Sequence, residues 1–541
     1  MTNTPHDFPS IYQMVEEGLI PYADYALVKL LLKDVDDVES GLFILKMMEA
    51  LREGNLSYHS VTPPNLPENV VTETEPGAPI PSTPICRIGN HFYFQKYWKL
   101  EETFFSCFKE FFNQDPLIGV QPPNLDNLPL LPEQKLAIQQ GCASALTMIT
   151  GGPGTGKTYT AGWLIRILIE SLSKEQRANF KIALTAPTGK AATNLQGSLE
   201  KAFQGLDLPD ITAKTLHSLL HISSWSMKRE KEPLPYDLIL VDECSMVDAK
   251  LMATLFSAIH PGSRLILLGD PYQLPPVDAG GFFREMADLV GSEHSVVLTS
   301  SQRVENSDLL LFAKAVAEGS VADALKAIEV SSHLQLSTFD HSPGDVQKKA
   351  VQFALENFPS PLYLGEESLD TYLSLVQKYR ILSPLRQGTL GVETMNKMIY
   401  EQFLEIHSSE ALMIPIIISS NDYKQKLFNG EVGVLVQTSS VEDNFAYING
   451  RKIPAILLPR YEWAWALSIH KSQGSEFDHL LLLLPEGSQK FSRELLYTGI
   501  TRAKKSIDLW VSPGVFEQVV EKQSQRSSEI SKRSLKSVES A

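Results

Sequence analysis

The chain has 541 residues, 43% hydrophobic and 21% charged, enough for three or four domains at ~150 residues each with well-filled cores. Its formal net charge of −16 excludes a uniformly basic coat for nucleic acid but leaves a local basic groove open. The longest leucine run, 480–484, is too short for a bilayer, residues 1–10 lack a secretory signal pattern, and Cys86, Cys107, Cys142 and Cys244 form no C-x-x-C pair. The expectation is a cytoplasmic protein with reduced thiols, no membrane partner, and no zinc, iron–sulfur or disulfide framework.

In chain order, residues 1 to about 60 read as helical, with Ser40 placed to cap a helix to Leu51 and Gly54 to stop it. Residues 61–84 hold seven prolines and read as an extended linker. Residues 85–98 look strand-like around His91-Phe92-Tyr93-Phe94, and an aromatic helix follows over 101–113. A second proline-rich joint, 115–132, ends this N-terminal module.

From 131 onward, apolar runs at 145–150, 181–185, 238–241 and 265–268 alternate with helical stretches. This is the rhythm of a parallel sheet covered on both faces. A second such series has runs at 380–383, 479–484 and 506–511. Between its parts, 411–459 changes texture: short β runs are separated by Asn421-Asp422, Asn429-Gly430 and Asn449-Gly450 turns, which reads as a small inserted β-barrel. The serine-rich, mixed-charge end reads as disordered.

The chemistry starts at Gly151-Gly152-Pro153-Gly154-Thr155-Gly156-Lys157-Thr158, which satisfies G-x-x-x-x-G-K-[ST] between a strand and a helix. Glycines let backbone N–H groups turn onto phosphate oxygens, and the helix start adds a positive dipole end. Lys157 is placed to neutralise the β and γ phosphates of ATP, and Thr158 to offer its hydroxyl to Mg²⁺. The apolar strand 238–241 ends in Asp242-Glu243. Asp242 is expected to hold Mg²⁺, and Glu243 to orient and deprotonate the attacking water. Gln273, in Gly269-Asp270-Pro271-Tyr272-Gln273, is a candidate γ-phosphate sensor; Arg303 and Arg502 are candidates to meet charge developing on the phosphate; Gln134 is a candidate adenine reader. Three further stretches carry hydroxyl, amide and basic groups suited to a sugar–phosphate backbone: Pro187-Thr188, Thr215-Leu216-His217, and His470-Lys471-Ser472-Gln473. Such contacts bind largely without regard to sequence and weaken with salt.

The blocks GGPGTGKT, TAPTGKAA, TLHSLL, DECSM, GDPYQLPPV, ILSPLRQGTLG, HKSQGSEF and YTGITRAK occur in this order. Together they resemble superfamily-one DNA helicases, and among them the helicase subunits of RecBCD-type helicase–nuclease complexes. One block departs: Ser301-Gln302 precede Arg303 where the family commonly has an aromatic residue. The resemblance implies an α/β fold of two RecA-like motor domains with parallel sheets, an inserted SH3-like barrel and a small N-terminal partner-binding domain. It adds Asn421 and Thr498 to the DNA-contacting positions. It implies ATP and Mg²⁺ at the motor interface, 5′-to-3′ movement on single-stranded DNA, and assembly with RecB-like and RecC-like subunits in a heterotrimer acting on duplex ends in double-strand-break repair. The expected domains are 1–125 (partner binding), 126–295 (motor one), 296–405 with 461–518 (motor two), 406–460 (barrel) and 519–541 (disordered tail). A standalone helicase of the same kind, an RNA helicase and a scaffold with a relic nucleotide pocket stay open as alternatives.

Overall fold

The computed structural model describes residues 8–33, 37–205, 211–222, 233–300, 307–339, 343–407, 410–422, 424–524 and 528–535. Two parallel sheets, called with their helices the first and second motor after the sequence expectation, form its frame. The first has six strands, in the order Ser295–Leu298, Leu146–Gly151, Arg264–Gly269, Leu238–Val241, Ile182–Ala186, Lys214–Thr215. All its pairings are parallel. Its central strands are buried along their whole length, as a sheet covered on both faces requires. The second has five strands, Leu334–Thr338, Ala503–Val511, Phe477–Leu484, Tyr379–Ser383 and Ala466–Ser468, again all parallel.

Between the last helix before it, Val392–Ile406, and the strand Ala466–Ser468 lies a five-stranded antiparallel sheet. Its order is Arg451–Pro454, Phe445–Ile448, Val432–Gln437, Leu412–Ile418, Tyr461–Trp463. The Asn449-Gly450 turn closes the hairpin between Phe445–Ile448 and Arg451–Pro454, with Asn449 at φ 50° and Gly450 at φ 73°.

The N-terminal part differs from the sequence reading in three places. Asp37, not Ser40, caps the helix Val38–Arg52: its carboxylate accepts from Glu39 N at 3.0 Å and from the Ser40 hydroxyl at 2.5 Å. The proline-rich stretch is not all linker, because Val71–Glu73 pairs in parallel with Ile85–Ile88. That pairing lies between segments too far apart in sequence for local propensity to reveal. The helix starts at Gln95 and runs to Phe112, and its rings enter the core of the first motor: Phe104 stacks on Phe282 at 4.2 Å and meets Phe256 edge-on at 5.5 Å. The helices before Arg52 keep their own apolar core around Phe8, Ile11, Tyr25 and Phe43.

Part of the expected disordered tail is ordered. The helix Val515–Glu521 packs in the second motor, and residues 528–535 return to the first. Ile530 and Leu535 enter the first motor's core, and the Arg533 guanidinium lies 5.0 Å from the Trp98 ring and pairs with Glu102. Serine and charge content hid two apolar anchors whose partners lie hundreds of residues away. Among the described residues no helix is long and apolar enough to cross a membrane, and the four cysteines form no disulfide.

Candidate nucleotide and nucleic-acid site

The phosphate loop connects the buried strand Leu146–Gly151 to the helix Lys157–Glu170. Gly156 caps that helix in the left-handed region, at φ 85°, and a Cβ there would sit 2.8 Å from Gln134 Nε2. Only glycine meets both demands. Gly152, Pro153 and Gly154 line the open side of the loop, while Thr155 is buried and donates to Gly152 O at 2.9 Å. Lys157 Nζ donates to Gly151 O at 2.7 Å and Gly152 O at 2.9 Å. Its ammonium therefore sits in the loop's own cradle, where phosphate oxygens would replace the carbonyls.

Opposite the loop, Thr158 Oγ1 donates to Asp242 Oδ2 at 3.2 Å. This is a hydroxyl and a carboxylate side by side, the pair of oxygen donors that Mg²⁺ takes beside nucleotide phosphates. Asp242 Oδ1 accepts from Glu243 N at 2.8 Å. Burial in the cleft, with Glu243 next to it, pushes the Asp242 carboxyl up to about 6. Glu243 itself is held at φ 53°, a conformation that costs a non-glycine residue ~1–2 kcal/mol. It turns the chain at the strand end so that both carboxylates face the cleft.

Gln134 is 1% exposed, and its amide is already engaged: Oε1 accepts from Leu131 N at 3.0 Å, and Nε2 reaches toward Thr155 O at 3.5 Å. Gln273 is buried, with Nε2 donating to Asp270 Oδ2 at 3.3 Å and Oε1 lacking a partner among the described residues. Arg502, 3% exposed, donates from Nε to Thr498 O at 3.0 Å and from Nη2 to Thr501 Oγ1 at 3.1 Å. It comes from the second motor, yet lines one cleft with Asp242 and Glu243 of the first. Arg303 lies outside the described residues.

Two residues that sequence reasoning passed over hold the motors together. The Tyr497 hydroxyl, from the second motor, donates to Asp270 Oδ2 of the first at 2.9 Å. Burial raises the Asp270 carboxyl, while Lys157 and its hydrogen-bond donors oppose that rise. Both residues stand inside blocks already singled out. Thr498 is a correction. It is fully buried rather than facing DNA, accepting from Leu274 N at 2.8 Å and donating to Glu494 O at 2.7 Å. Ser472 is corrected likewise, since its buried hydroxyl donates to Ile469 O at 2.7 Å.

The other candidates lie at strand ends. Pro187 and Thr188 follow Ile182–Ala186, and Thr215 ends Lys214–Thr215, the edge strand of the first sheet. The hydroxyls of Thr188 and Thr215 cap the helices Gly189–Ala202 and Leu216–Leu219, accepting from Ala191 N and Ser218 N, each at 3.2 Å. His217 is exposed beside them. His470 and Gln473, both half-buried, follow Ala466–Ser468, the edge strand of the second sheet, and burial lowers the His470 pKa. Asn421 is exposed on the insert, where its Oδ1 accepts from Asn429 N at 2.8 Å. The insert reaches the first motor here: a Cβ on Gly189 would come within 2.9 Å of Phe428. Both sheets thus present polar groups at the carboxyl ends of strands at or next to one edge, apart from the central nucleotide loop.

Known proteins resemble most of the chain. Residues 129–338 match an AAA domain, and residues 463–509 a UvrD-like helicase C-terminal domain. The chain is 32% identical over 475 residues to the RecBCD enzyme subunit RecD of Mycolicibacterium smegmatis, covering 83% of each chain. It is 31% identical over 470 residues to the RecBCD enzyme subunit RecD of Haemophilus influenzae, covering 74% of this chain and 72% of that one. The ATP-dependent RecD2 DNA helicase of Deinococcus radiodurans is 30% identical over 394 residues, which cover 69% of this chain and 48% of that protein. Identity at this level across 83% of both chains establishes that the protein belongs to the RecD family.

Proposed function

We propose that the protein is an ATP-dependent 5′-to-3′ DNA helicase and the RecD-type subunit of a RecBCD-type complex, working beside RecB-like and RecC-like subunits on duplex ends in recombinational repair. The observation that carries this is one cleft lined by Asp242 and Glu243 of the first motor and Arg502 of the second, with Thr158, beside the phosphate-loop Lys157, hydrogen-bonded to Asp242. ATP bound there would touch both sheets, so its differential affinity for the apposed state would drive closure. Lys157 would leave its two carbonyls for the β and γ phosphates. Glu243 would orient water and take its proton as the oxygen bonds to the γ-phosphorus and the bond to ADP breaks. Gln273, whose amide oxygen has no partner among the described residues, would report the γ-phosphate to the motor interface. Arg502, and Arg303 on sequence grounds, would stabilise charge on the transferring group. Gln134 and the loop residues would seat the nucleotide. Thr158 and Asp242 would hold Mg²⁺, which when bound shields phosphate charge.

Single-stranded DNA would lie across the carboxyl ends of strands at or next to the edges of the two sheets, touching Pro187, Thr188, Thr215, His217, His470, Gln473 and, on the insert, Asn421. Alternate grip by the two sheets during closure and opening would then advance it. We assign the insert as an SH3-like barrel and the helices before Arg52 as the partner-binding part. The match to 83% of a RecBCD subunit but 48% of a RecD2 helicase favours the complex subunit over the standalone reading. Unwinding of 5′-tailed against 3′-tailed duplexes tests this, with the protein co-purified with its partners and alone. Preference for the 5′ tail supports the assignment, and equal or reversed preference refutes it.

A further inference from the structure

The cleft lined by Asp242, Glu243 and Arg502 has a volume of roughly 700 Å³. Three cations from both motors line it: Lys190 of the first, Arg380 and Arg502 of the second. Among the described residues none of the three has an ion-pair partner. Lys190 Nζ reaches across to the neutral Ser475 hydroxyl at 2.5 Å. Arg380 is 0% exposed, and its Nε and Nη1 have no hydrogen-bond partner among the described residues. Its Nη2 makes one long bond, 3.4 Å, to Val376 O, and its guanidinium carbon lies 4.8 Å from the centre of the Phe477 ring. Lys504, also in the wall, is paired with Glu476 at 3.5 Å and is not counted among them.

Buried charges normally stand beside opposite ones, because desolvation is costly and like charges add to that cost. Here burial lowers Arg380 to about 9, and burial with Arg380 and Arg502 nearby lowers Lys190 to about 8. The missing component is an anion. Ammonium, guanidinium and hydroxyl donors converging from several directions suit a tetrahedral oxyanion. Asp242 and Glu243 line the same cavity, and among the described residues neither forms an ion pair with these cations; their carboxylates would repel an anion toward the cations.

We propose that this cavity is a holding site for inorganic phosphate, cradled by Lys190 and Arg380, which receives the phosphate released at the neighbouring nucleotide loop and joins the two motors while it is bound. When occupied, the anion bridges cations of opposite motors. When it leaves, those cations repel each other across the cleft, and the motors are freed to part. This deepens the proposed ATPase reading and rests on it.

The test uses the full chain carrying Lys157→Ala, so that the loop itself no longer competes for the probe. Binding of inorganic phosphate is followed by calorimetry and by thermal melting at constant ionic strength. Phosphate should raise the melting temperature, and Arg380→Met in the same background should weaken phosphate binding at least tenfold. Without phosphate, Arg380→Met should melt no lower than its parent, since it removes an unpaired buried charge. Should it fail to fold, Lys190→Met on the cleft wall carries the same expectation. Undiminished phosphate binding in both variants overturns the proposal. An equal loss of affinity for an oligothymidine strand also overturns it, because the cations would then serve the DNA backbone. ATP-analogue binding to the unsubstituted protein is measured in parallel. If that is absent while phosphate binds, the ATPase reading fails and the product role falls with it; if it is present without phosphate binding, only the holding site fails.

Discussion

Tyr497→Phe removes one hydroxyl and little else. That hydroxyl donates at 2.9 Å to Asp270 Oδ2 across the motor interface, where both side chains are buried. Asp270 keeps its bonds from Tyr272 N at 3.1 Å and Gln273 Nε2 at 3.3 Å, so the carboxylate is weakened as an acceptor site but not stranded. A hydrogen bond to a charged group contributes ~1.5–3 kcal/mol, and 1.4 kcal/mol corresponds to about tenfold in an equilibrium constant. The constant for apposing the two motors should therefore fall by about 10- to 150-fold. Single-molecule energy transfer between dyes on the two sheets measures the apposed fraction directly. A double-mutant cycle with Asp270→Asn isolates the pair, and its coupling should exceed ~1 kcal/mol. An apposed fraction unchanged in folded Tyr497→Phe, or strict additivity with Asp270→Asn, would refute the reasoning.

Three other outcomes are expected. Gly156→Ala forces a side chain into φ 85° and against Gln134; it should destabilise the first motor by ~1–2 kcal/mol in urea unfolding and lower affinity for an ATP analogue more than tenfold. Thr498→Val should cost ~1–3 kcal/mol by stranding the Leu274 N–H, yet leave oligonucleotide affinity within about twofold; a large loss of DNA binding would restore the residue to the DNA-facing set. Asp242, raised to about 6, binds its proton more tightly folded than unfolded, so its protonation favours folding at low pH and that contribution is lost as pH rises from 3.8 to about 6. Metal binding needs the deprotonated form, so half-saturating Mg²⁺ should rise about tenfold by pH 5 relative to its plateau above pH 7, and a flat profile would contradict the assignment.

What the sequence disclosed follows from how local each signal is. The phosphate loop, the acidic strand end and the two strand series are short patterns whose physics is complete within a few residues, and Gly156, Asp242 and Leu238–Val241 lie where that physics puts them. What stayed hidden depends on partners far along the chain. Thr498 looked like one more hydroxyl in a DNA-facing block, and only the approach of Leu274 from the other motor shows what it binds. Val71–Glu73 became a strand because Ile85–Ile88 was available as a partner, despite the surrounding prolines. Ile530 and Leu535 are isolated apolar residues in a polar tail, and their burial is decided by the first motor's core. Lys190 and Arg380 belong to different motors, and no spacing rule announces that they share a cavity.

The central claim is that DNA drives nucleotide turnover at the Lys157 cleft. The most direct measurement is ATP hydrolysis by the partner-assembled protein with and without single-stranded DNA, compared with Lys157→Ala in the same assembly. The account predicts strong stimulation by DNA, lost in the variant while the assembly still forms. Stimulation that survives Lys157→Ala, or none in the intact wild-type assembly, would contradict it.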